Sequence, residues 1–166
     1  MSITFNANEA LKVAERIEGN AGVFYRKAAK LHSGERSKDL LFKLAAMEDQ
    51  HQETFSLMRA QLSEAEKEAT TYDPMDESLL YLKALADQHG GEGSPTAADA
   101  LTGQETIVQV LLVAIDLEHK TVQFYTGLRE MISANLGRDK LDRVIAEEKS
   151  HVVQLSRELH AARGKF

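Results

Sequence analysis

Glu18, Glu48 and His51 recur one hundred positions later as Glu118, Glu148 and His151. In each set the last two residues form Glu-x-x-His, an i, i+3 spacing that places both side chains on one helical face, a turn apart. Four carboxylates and two imidazoles are a donor set for two metal ions. Such ligands suit Fe(II) and do not exclude zinc or manganese. The neighbours repeat as well: Leu11 with Leu111, Ala14 with Ala114, and Phe24-Tyr25 with Phe124-Tyr125.

Each of the six lies inside an apolar stripe. Leu11, Ala14, Glu18, Ala21 and Tyr25 follow a 3-4 spacing, as do Leu41, Leu44, Glu48, His51, Phe55 and Met58. The second half gives Leu111, Ala114, Glu118, Thr121, Tyr125 and Leu128, then Leu141, Val144, Glu148, His151 and Leu155. The ligand candidates therefore point where core residues belong. A buried ionised carboxylate costs several kcal/mol unless its charge is compensated. Two divalent cations would balance four carboxylates, whereas a protonated, hydrogen-bonded carboxylate network is the structural alternative. A single Glu-x-x-His on a charged helix ordinarily marks a solvated face. His32, His89, His119 and His160 fall at helix ends, in a loop, or about 100° from the site, and read as solvated residues.

Four long helices must position these side chains. The first spans about 7 to 32, opened by a capping-box spacing of Asn6 with Glu9 and ended by Gly34. The second spans roughly 36 to 65. The third begins after Thr102-Gly-Gln-Glu105, another capping-box spacing, and reaches about Ser133. Gly137 separates it from a fourth, which ends near Arg163. Short connections pair the first two and the last two helices antiparallel. A crossover over about 66–104 is unusually long. It holds a short amphipathic helix from Asp73-Pro74 through Leu79, Leu82, Leu85 and Ala86, then a surface loop from His89 to Pro95. That crossover lets helix three run parallel to helix two, so the two halves face each other about a pseudo-twofold axis. The fold class is all-α: a four-helix bundle, with residues 1–166 as one domain.

Composition narrows the function classes. The chain has 166 residues, 43% hydrophobic and 28% charged, enough for one sizeable core. With no cysteine it builds no disulfide, zinc-thiolate site or iron-sulfur cluster. A net charge of -6 without a basic block argues against nucleic acid as a partner. No basic-then-apolar leader and no apolar run of membrane-spanning length stands in the sequence, so a cytoplasmic protein is expected, with no membrane partner.

Two segments of one form carry a family resemblance: Glu18-Gly-Asn-Ala-Gly-Val-Phe-Tyr25 with Leu41-Phe-Lys-Leu-Ala-Ala-Met-Glu-Asp-Gln-His51, and Glu118-His-Lys-Thr-Val-Gln-Phe-Tyr125 with Val144-Ile-Ala-Glu-Glu-Lys-Ser-His151. In them the chain resembles the rubrerythrin-like branch of the ferritin-like superfamily. The resemblance implies a ferritin-like bundle with a non-haem di-iron centre that is oxidised by hydrogen peroxide or dioxygen, often in a homodimer. Two departures stand out. Rubrerythrins proper carry a further glutamate where this chain has Thr121, and a cysteine-ligated rubredoxin domain that this chain lacks. Peroxide turnover would therefore draw on an external electron donor, such as a separate rubredoxin.

In the working arrangement Glu48 and Glu148 bridge the metals, while Glu18 with His51 and Glu118 with His151 terminate one each. Tyr25 and Tyr125, two turns beyond their glutamates, are expected to hydrogen-bond ligand carboxylates, or else simply to fill the core. Related bundles let the residue before a ligand glutamate reach the opposite histidine. That position is Glu147 in one half and Met47 in the other, so Glu147 is expected to orient His51. Three function classes follow: a peroxide- or oxygen-reducing oxidoreductase, a ferroxidase feeding an iron store, and a metal-stabilised bundle without turnover.

Overall fold

The long periodic segments are helices: α1 (Ala7–Leu31), α2 (Glu35–Ala60), α5 (Ile107–Met131) and α6 (Arg138–Arg163), with short helices α3 (Glu64–Lys67) and α4 (Pro95–Asp99) between them. The structure, a computed structural model, describes residues 7–67, 80, 95–131 and 138–164. The expected cap at Asn6, the crossover helix at 73–86 apart from Leu80, the loop at 89–94 and the break at Gly137 lie outside the described residues. No strand occurs among those described.

Ion pairs and hydrogen bonds fix the helix directions. Arg26 meets Asp49 at 2.8 Å and Arg59 meets Glu15 at 2.6 Å, so α2 runs back along α1. These partly exposed pairs add at most about 1 kcal/mol each and serve here as register marks. The Tyr25 hydroxyl reaches Glu118 and the Tyr125 hydroxyl reaches Glu18, which makes α1 and α5 antiparallel too. Helix α5 is consequently parallel to α2. The contacts Arg36–Glu158, His51–Glu147 and Lys140–Gln61 run α6 antiparallel to α2. Backbones approach most closely within the hairpins α1–α2 and α5–α6, and side chains close the gap between the hairpins.

The apolar core is divided. One cluster gathers Leu11, Ile17, Phe55, Met58, Tyr125, Leu141 and Val144 at one end. The other gathers Phe24, Tyr25, Leu41, Leu44, Leu111, Leu155 and Leu159 at the opposite end. Between them sits a polar layer made by the repeated residues.

Three boundaries differ from the sequence-based expectation. Helix α2 stops at Ala60, with the Gln61 N–H turned back to the Leu57 and Met58 carbonyls, because Leu62 then tucks into the core. Gly34 does not close α1, which ends at Leu31; it is the N-cap of α2 and accepts from the Lys38 N–H at 2.9 Å. The capping box of α5 is Thr106 with Gln109, which exchange backbone and side-chain hydrogen bonds of 3.2 and 2.8 Å. Thr102 and Glu105 instead close the turn before it. There the Glu105 carboxylate accepts from the Thr102 and Gly103 N–H groups and from the Thr102 hydroxyl, which holds it down at about 2. Gly103 has φ 85°, a left-handed conformation that favours glycine. Sequence periodicity also missed α4, where Pro95 occupies the first helical position and the Ala98 carbonyl accepts a 2.7 Å bond from Lys27.

Candidate metal centre

Each long helix delivers its share of the polar layer from the middle of its buried stripe. Helix α1 supplies Glu18, α2 Glu48 and His51, α5 Glu118, and α6 Glu148 and His151, all 2% exposed or less. All six converge. They form two quartets, Glu18, Glu48, His51, Glu148 and Glu48, Glu118, Glu148, His151, whose donor atoms lie within 4.8 Å of one another. Glu48 and Glu148 belong to both.

The oxygens show how that sharing works. Glu48 turns Oε2 to His51 Nδ1 and Oε1 to His151 Nδ1, each at 3.1 Å. Glu148 does the same with Oε1 at 2.8 Å and Oε2 at 3.1 Å. Glu18 approaches only His51, at 3.4 Å, and Glu118 only His151, at 3.2 Å. The two imidazoles stack with centroids 5.6 Å apart and planes 17° from parallel. This is the disposition of two bridging and two terminal carboxylates around a pair of positions.

The residues fit cations better than they fit one another. Among the short histidine–carboxylate contacts at Nδ1, only Glu48 to His51 has hydrogen-bond geometry. Glu18 Oε2, Glu48 Oε1, Glu118 Oε2, both Glu148 oxygens and both His151 nitrogens are buried without a hydrogen-bond partner among the described residues. Buried polar atoms are normally satisfied. Lone pairs that crowd together without bonding each other are aimed at a common third party, and oxygen with imidazole nitrogen suits a divalent first-row metal.

Protons carry the compensation when metal does not. Burial raises the carboxyls of Glu18 and Glu118 well above the usual range, and the charges of Glu148 and Glu48 push the same way. Burial opposes charge on Glu148 as well, yet its contacts to His151 and His51 outweigh this and hold it at about 2. Desolvation disfavours both imidazolium forms. Neighbouring carboxylates win, lifting His151 to about 12 and His51 further in the same direction.

Around the ligands, Tyr25 donates to Glu118 Oε1 at 2.5 Å and Tyr125 donates to Glu18 Oε1, so each tyrosine crosses to the opposite half. Glu147 Oε2 lies 2.7 Å from His51 Nε2 although its side chain is half-exposed. The matching position is Met47, and His151 Nε2 is buried without a partner among the described residues. Glu147 also lines a surface cleft of about 310 Å³ with Thr54, Leu57, Lys140, Arg143 and Val144, a feature that no local sequence signal announces. His119 and His160 are exposed and His32 is half-buried, apart from the six; His89 lies outside the described residues.

A solved structure from Thermotoga maritima, provisionally assigned as a ferritin-like diiron-carboxylate protein, superposes with a TM-score of 0.68 at 20% identity. The match covers 96% of this chain and 97% of that one. No protein-family model matches the chain, and no curated protein does. The fold is an all-α ferritin-like bundle. None of its described helices is long and apolar enough to cross a membrane.

Proposed function

We propose that this protein is a non-haem di-iron oxidoreductase that reacts with hydrogen peroxide or dioxygen and takes its electrons from a separate donor. The observation that carries this reading is the pair of quartets sharing Glu48 and Glu148. Sharing two carboxylates would hold two cations in neighbouring positions, able to act on one small molecule. Iron there would supply two one-electron redox equivalents and vacant coordination positions for an oxidant.

The chain's own residues do the rest. Glu18 and His51 would hold one metal, Glu118 and His151 the other. Tyr25 and Tyr125 fix the terminal carboxylates by donating to one oxygen of each. Two apolar clusters above and below exclude bulk water from the polar layer. Without cysteine the chain carries no thiolate redox centre, which supports an external reductant such as a small electron-transfer protein. Zinc or manganese suits the same donors, so metal identity is part of the test. A cytoplasmic homodimer is the assembly we expect.

The experiment is anaerobic loading with Fe(II), metal analysis, and stopped-flow mixing with peroxide and with dioxygen. Two irons per chain and fast oxidation by either oxidant support the proposal. Stable binding of two metals without oxidation would mark a metal-stabilised bundle, and a large hollow oligomer in gel filtration would mark an iron store.

A further inference from the structure

Three residues after the terminal glutamate, the two halves of the centre differ: the position is Ala21 in α1 and Thr121 in α5. Both are fully buried. The Thr121 hydroxyl has no hydrogen-bond partner among the described residues. This is not how the helix threonines at Thr54 and Thr126 behave, since each donates to the carbonyl four residues back, at 2.9 and 2.7 Å. Thr121 stands one turn after Glu118 and one turn before Tyr125, on the stripe from which both neighbours reach the carboxylate layer. A buried hydroxyl that bonds nothing is destabilising, and an alanine, as at the matched position, would avoid that cost.

We propose that Thr121 positions a small ligand with anionic or peroxidic oxygen or nitrogen at the Glu118–His151 half of the centre, its hydroxyl donating to the ligand's outer atom. The proposal rests on the di-metal reading above and adds to it a preferred end. Ala21 gives the Glu18–His51 half no such donor. That half is instead tied to the protein surface through His51 and Glu147. One position thus takes the ligand while the other communicates with solvent.

Azide is the probe, and Thr121→Val and Thr121→Ser are the variants. Valine keeps the shape and removes the hydroxyl; serine keeps the hydroxyl. Metal content is measured first, then the azide dissociation constant of the oxidised iron-loaded protein from its visible absorption, then the melting temperature of metal-free protein. Thr121→Val is expected to bind two irons, to hold azide about tenfold more weakly, and to melt about 2–4 °C higher when metal-free. Thr121→Ser should hold azide like the wild type. Equal azide affinity in wild type and Thr121→Val overturns the proposal, as does a serine variant as weak as the valine one. A metal-free Thr121→Val that melts lower than wild type overturns it too, because the hydroxyl then has a partner in the protein. Wild type that takes up no metal overturns the di-metal reading itself, a failure seen before azide is added.

Discussion

Glu147 is half-exposed and, by its position in a charged helix, would pass for a solvent-facing acid, yet its carboxylate lies 2.7 Å from His51 Nε2. An acceptor at that nitrogen fixes the ring and makes Nδ1 a better ligand; removing such a partner ordinarily costs about 10–100-fold in metal affinity. Glu147→Gln should therefore weaken one metal position and spare the other. In iron-loaded protein the two Mössbauer components should separate further than in wild type, and equal shifts of both would refute the one-sided role. By the pseudo-twofold, Met47→Glu places a carboxylate where His151 lacks one, and should narrow the difference between the two components. The one-hundred-residue repeat pairs Met47 with Glu147, while the reach of such a residue to the opposite histidine is what the family resemblance implies. Which imidazole nitrogen faces the carboxylates, and how each glutamate aims its two oxygens, was not legible in the sequence, because both depend on side-chain torsions that a helical spacing leaves open.

At the scale of elements, the repeat and the 3-4 stripes gave four helices and all six converging residues, since burial of a helical stripe is a periodic signal. Helix ends were harder. Thr102–Glu105 and Thr106–Gln109 both have capping-box spacing, and only the second caps α5. The first is used by a turn built on Gly103 at φ 85°. Thr106→Ala should destabilise the protein by about 1 kcal/mol in urea unfolding. Thr102→Ala, on an exposed turn, should cost less, and the reverse order would return the cap to Thr102. Likewise α2 ends early because Leu62 gains a place in the core, a tertiary gain that no local propensity contains. Within the polar layer, Glu48→Leu with Glu148→Leu should abolish metal binding. It should also stabilise the metal-free bundle by about 1–4 kcal/mol, as replacing buried charge by apolar volume often does. Loss of stability in that double variant would contradict the view that these residues are buried for function.

For the whole molecule, the protons held by the polar layer make metal-free stability depend on pH. Glu18 and Glu118 have raised carboxyls, so above the usual carboxylate pKa the folded chain binds more protons than the unfolded one, and stability falls as pH rises. His51 and His151, also raised, act with the same sign above 6.5. Glu148 has the opposite sign, but its effect is confined between about 2 and 4.5. Metal-free protein should thus melt lower at about pH 8 than at about pH 5, and metal-loaded protein should lose most of that slope. Metal uptake should release protons, measurable by calorimetry in buffers of different ionisation enthalpy; uptake without release would contradict the assigned protonation. The divided core carries this further. Because each apolar cluster draws on all four long helices, the layer that protons or cations must neutralise is a seam between the two ends of the bundle. In hydrogen–deuterium exchange, chelation should speed exchange most at amides of the polar layer, around Glu18, Glu48, Glu118 and Glu148, before those packed in either apolar end; uniform acceleration along the helices would contradict this. Metal supply would then set not only whether the centre is occupied but how tightly the two ends of the bundle open together.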